Sequence, residues 1–125
     1  MKAYLEHANV TVRDPEASAA LLTSLFGWKE RWRGAAMAGG FTIHVGSDDH
    51  YVAFYTGPDG KDANAHFPKS QPLNHLAFVV DDLDEVERRV IAQGLEPINH
   101  ADYDPGRRFY FFDDNGIEYE IVSYG

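Results

Sequence analysis

The chain contains no cysteine, is poor in basic residues and has no long apolar run. Without cysteine there can be no disulfide, no thiolate nucleophile and no zinc–thiolate site. Eleven Lys and Arg stand against 20 Asp and Glu, a net charge of −9 with histidine neutral. That balance gives no broad basic face for the phosphates of nucleic acid and none for an anionic membrane surface. No segment is long and apolar enough to span a bilayer, and the opening "MKAYLEHANV" lacks the apolar core of a signal peptide. The expected location is cytoplasmic. Low-complexity tracts are absent, and the least structured stretch, "TGPDGKDANAHFPKSQP", reads as a connector.

What is present is ordinary globular composition, 44% hydrophobic and 25% charged, in 125 residues, a length suited to one domain with a real core. Within it the chain repeats itself. "LEHANVTVRD" and "LNHLAFVVDD" each read as a strand with a histidine third and an aspartate last, and His7 and His75 are 68 positions apart. Each strand runs into a helix with marked ends. Asp14 can cap, Pro15 suits the first helical position and Gly27 can end the first helix. Asp82 caps the second, Glu85 offers a capping box and Gly94 ends it. Leu21, Leu22, Leu25 and Phe26, then Leu83, Val86, Val90 and Ile91, have helical spacing. Strands follow each helix: 28–33, 41–45 and 51–56, then 95–99, 107–112 and 117–124. The prediction is an α+β chain of two βαβββ modules, about 1–56 and 73–125, joined by a connector over 57–72, with short offsets favouring antiparallel pairing among adjacent strands.

Strand alternation sorts the side chains. Ala8, Val10 and Val12, and Leu76, Phe78 and Val80, should face the helices, which leaves His7 and His75 on the opposite faces. In the last strand Glu118 and Glu120 share a face, and alternation does not choose between them. A buried carboxylate needs a partner. Two imidazoles and one carboxylate form a facial set for a divalent ion, with positions open for substrate. The plainer alternative is a pair of hydrogen-bonded structural histidines and a solvated glutamate. His44 reads as packing or as cavity lining, His50 and His100 read as turn or loop residues, and Arg107 and Arg108 either hold an anionic group or offset the acidic surface. Trp28, Trp32, Phe41, Tyr51 and Phe54 supply aromatic area for a core or a pocket.

The segments "HANVTVRDPEAS", "FGW", "NHLAFVVDDLDE" and "FYFFDDNGIEYEIV", in this order, resemble the vicinal oxygen chelate superfamily of glyoxalases, bleomycin resistance proteins, fosfomycin-resistance enzymes and extradiol dioxygenases. The resemblance covers nearly the whole chain. It implies curved mixed sheets enclosing a cavity, ligands on the first strand of each module at His7 and His75, and a ligand four residues after the glycine of "DDNG", which selects Glu120. It also implies an active-site tyrosine at Tyr110 and a homodimer. The first module's counterpart of Glu120 is Ala53, so the four-ligand set of glyoxalase I is incomplete. The lysine and serines that fosfomycin-resistance enzymes carry before Tyr110 are missing from "HADYDPGRR", and only His66 is near the place of a dioxygenase's acid–base histidine. The expected function is a divalent-metal enzyme (iron, manganese, zinc, nickel or cobalt) acting on a small oxygenated substrate that chelates the ion, a lyase, isomerase or dioxygenase. The rival expectation is a metal-free small-molecule binding protein of the bleomycin-resistance type.

Overall fold

The computed structural model describes residues 1–36, 39–58, 73–103 and 106–125. The chain divides into two compact units, Met1–Ala65 and His66–Gly125. The first holds β1 (His7–Thr11), α1 (Pro15–Phe26), β2 (Lys29–Ala35), β3 (Phe41–Gly46) and β4 (Tyr51–Thr56). The second holds β5 (Leu76–Val79), α2 (Leu83–Ala92), β6 (Ile98–Tyr103), β7 (Gly106–Phe112) and β8 (Glu118–Ser123). Each unit is one four-stranded mixed sheet with one helix, in the orders β1-β4-β3-β2 and β5-β8-β7-β6. Most of the expected connector, and His66 within it, lies outside the described residues.

The helix ends follow their local chemistry. Asp14 Oδ1 accepts from Ala17 N at 3.2 Å and Pro15 opens α1. Asp82 Oδ1 accepts from Glu85 N at 3.1 Å. Gly27 closes α1 at φ 69°, and Gly94 follows α2 at φ 80°, a backbone region that favours glycine. The carboxylate of Glu85 goes to Arg88 and Arg89.

Leu22 and Leu25 of α1 are fully buried with Ile43, Val45 and Phe54 of the first sheet. Burying a leucine fully contributes about 1.5–3 kcal/mol. In the second unit Val90 of α2 is buried with Phe109, Phe111, Tyr119 and Ile121. Register sets Phe111 opposite Tyr119 and Phe109 opposite Ile121, and the Phe111 and Tyr119 rings stack at 5.2 Å. Ile91, expected in the apolar stripe, is 57% exposed.

As expected of mixed sheets, adjacent strands pair antiparallel and the first strand of each unit runs parallel to the last, β1 on β4 and β5 on β8, because the helix carries the chain back across the sheet. One expectation is corrected. The strand expected at 95–99 is β6, Ile98–Tyr103, which places His100 in a strand. Its register shifts between Ile98 and Ala101, and Asn99 sits at φ 54°.

Candidate metal centre

The turn after β7 sets the position of β8. Asp113, 6% exposed, accepts from Asn115 N and Ile117 N at 2.9 Å each through Oδ1. Its Oδ2 accepts from the Tyr119 hydroxyl at 3.0 Å. One carboxylate thus ties the turn to the strand, and the alternation that buries Tyr119 and Ile121 turns Glu120 to the opposite face.

On that face Ala77, Glu120, Tyr110 and Ile98 form one row across β5, β8, β7 and β6. His75, just before β5, brings Nε2 to 3.1 Å from Glu120 Oε1. Its ring meets Tyr110 edge-on, with centroids 5.8 Å apart. The other Glu120 oxygen accepts from Arg108 Nη1 at 2.9 Å. The Glu120 and Arg108 side chains are 9% and 14% exposed. Glu118 is also buried, but its register partner is Phe112.

His7 belongs to the first unit. Its Nδ1 lies 2.8 Å from Glu6 Oε1, and its ring stacks on Tyr51 at 4.8 Å. His44 stacks on Tyr51 at 4.7 Å, Trp32 tilts against His44, and the Arg31 guanidinium lies over the Tyr51 ring at 4.5 Å. Burial first, then the charges of His7 and Arg31, holds His44 below the usual histidine pKa. Here the matching row is Asn9, Ala53 and His44, so Ala53 holds the register place of Glu120 and His44 that of Tyr110.

Among the described residues, no three His, Asp or Glu side chains come together as an ion-holding group. The structure brings together His75, Glu120 and Tyr110. The two donors of that pair do fit a divalent ion. Ligands at adjacent corners of an octahedron, about 2.1 Å from the metal, are about 3 Å apart. His75 Nδ1 faces Asn74 Oδ1 at 2.7 Å, so both ring nitrogens face acceptor oxygens. A neutral imidazole carries one proton. Either an Nε2–H donated to Glu120 or, with Nδ1–H donated to Asn74, a cation shared by Nε2 and the carboxylate accounts for this contact.

The remaining candidates are structural. His100 Nε2 pairs with Glu87 at 2.7 Å and its ring stacks on Phe109. His50 lies at the turn before β4, where its carbonyl accepts from Ser47 N. The neighbours Arg107 and Arg108 part company. Arg107 Nη2 pairs with the exposed Asp84 at 2.9 Å, which pulls that carboxyl below the ordinary range. Arg108 turns to Glu120. Sequence reading treated the two alike; the two-residue step from Arg108 to Tyr110 is the signal that puts Arg108 on the site's face. Asp113 entered the sequence reading only as the first residue of "DDNG".

A family model described as the Glyoxalase/Bleomycin resistance protein/Dioxygenase superfamily matches residues 4–121. The chain belongs to that superfamily. Among solved structures, a glyoxylase/bleomycin resistance protein/dioxygenase domain from Frankia sp. EAN1pec is similar at 23% identity, with all of both chains covered and a TM-score of 0.84. The fosfomycin resistance protein FosX of Mesorhizobium loti is 26% identical over 97% of this chain and 91% of that one, TM-score 0.71. FosX of Listeria monocytogenes, complexed with Mn(II) and sulfate ion, is 20% identical over 98% and 93%, TM-score 0.73. Comparison with curated proteins finds no match.

Proposed function

We propose that the protein is a divalent-metal-dependent enzyme acting on a small oxygenated substrate, with His75 and Glu120 as two of the ion's ligands. The observation that carries this is the approach of His75 Nε2 to Glu120 Oε1, 3.1 Å, on a largely buried carboxylate. A Mn(II)-bound FosX of the same fold makes a divalent ion a reasonable occupant. Asn74 would hold the His75 ring in the tautomer that presents Nε2, as partners of ligating histidines do. When bound, the ion would supply Lewis-acid stabilisation of negative charge on a chelated substrate oxygen. Tyr110, beside the His75 ring, would orient that oxygen through its hydroxyl. The reading includes a cytoplasmic homodimer, which sedimentation measurements would test.

The protein purified without chelator should carry metal, and His75→Ala and Glu120→Ala should each lower its occupancy. Full occupancy in both variants contradicts the assignment.

A second reading, a metal-free small-molecule binding protein, draws on the Arg108–Glu120 pair, since the guanidinium supplies Glu120 with a positive charge of its own. Ligand binding unchanged by exhaustive chelation would favour it.

A further inference from the structure

We infer that Arg108 is a resident competitor for Glu120 that a divalent ion displaces, and that the released guanidinium then receives an anionic oxygen group of the substrate. The inference rests on the metal reading above. Both Glu120 oxygens are engaged, one by His75 Nε2 at 3.1 Å and one by Arg108 Nη1 at 2.9 Å. An ion drawing on the oxygen that faces His75 would share this carboxylate with a guanidinium already on its other oxygen, and the two cations repel. Arg108 is opposite Val122, one pleat along from the Tyr110–Glu120 pair, and alternation keeps its side chain on the same face.

The charge balance then names the substrate class. Without metal, the Glu120 and Arg108 charges cancel. A divalent ion adds two positive charges beside side chains that are 9% and 14% exposed. Added charge that is nearly out of water is costly. An oxyanion relieves it, and the planar fork of arginine suits a carboxylate, phosphonate or phosphate. The site thus favours a substrate that brings an oxyanion to Arg108 together with oxygen for the metal. Linkage requires the effect to be mutual: an oxyanion at Arg108 raises metal affinity, and metal raises oxyanion affinity by the same factor.

The experiment measures Mn(II) affinity, by the EPR signal of free Mn(II), for wild type, Arg108→Gln and Glu120→Gln, each in chloride and in sulfate at one ionic strength. Arg108→Gln should bind Mn(II) alone about tenfold more tightly than wild type. Sulfate should tighten wild-type binding about fivefold or more, and leave Arg108→Gln unchanged. The sulfate arm needs only the wild-type protein, so it stands even if Arg108→Gln fails to fold. Wild-type affinity insensitive to sulfate, or Arg108→Gln binding no tighter than wild type, overturns the role of Arg108 while a loss of binding in Glu120→Gln keeps the metal reading. Mn(II) binding that Glu120→Gln leaves untouched removes both.

Discussion

At the scale of single residues the second unit gathers its chemistry on one carboxylate. Glu120 meets an imidazole on one oxygen and a guanidinium on the other, and its strand neighbours Tyr119 and Ile121 are fully buried on the opposite face. His44 gives a test in the first unit. Its pKa is held down, chiefly by burial, so the unfolded chain takes up its proton first as pH falls. Stability is insensitive to His44 above about pH 6.5 and is lost as pH drops from there through the lower folded value. Urea unfolding at neutral and at mildly acidic pH should therefore show a smaller loss on acidification in His44→Gln than in wild type. An equal loss in both would contradict the account. The positions of His7 and His75 on faces turned from the helices were legible from alternation, because a pleated strand leaves no other choice once Val10, Val12, Leu76 and Phe78 face the helices, whereas Glu118 and Glu120 share a face and only the resemblance chose Glu120. That Arg108 would pair with Glu120 was not legible: charge assigns no partner until two strands are set in register.

At the scale of elements, the capped helices and the core strands were readable because each carries its own signal. Asp14, Pro15 and Gly27 bound α1, and β3 and β4 carry Ile43, Val45, Val52 and Phe54 into the core. β6 was misplaced because its sequence, INHADY, has no apolar alternation; it pairs with β7 through its backbone at the edge of the sheet. The parallel pairing of β5 with β8 depends on the whole module, since no local signal links strands so far apart in sequence. The β7–β8 turn offers the sharpest test of an element. Asp113→Ala leaves two backbone N–H groups and the Tyr119 hydroxyl without their acceptor, and should cost about 2–4 kcal/mol in urea unfolding. The same change should weaken metal binding, because β8 carries Glu120. A loss under about 0.5 kcal/mol, the scale of an ordinary surface substitution, would show that the turn does not depend on this carboxylate.

At the scale of the molecule, two βαβββ units of one plan differ along a corresponding row. Ala77, Glu120 and Tyr110 in the second unit answer to Asn9, Ala53 and His44 in the first, and of these two rows the second unit's carries the carboxylate. If binding stabilises the folded chain, Mn(II) at 100 times its dissociation constant should raise stability by about 2.7 kcal/mol, seen as a higher melting temperature that Glu120→Gln abolishes. An equal rise in wild type and Glu120→Gln would mean that the ion binds elsewhere.

The most direct measurement is pulsed EPR of the Mn(II)-loaded protein, which reads nitrogen nuclei bonded to the ion. The account predicts coupling to imidazole nitrogen, with the His75 contribution lost in His75→Ala. A spectrum without nitrogen coupling, or one that His75→Ala leaves unchanged, would contradict it.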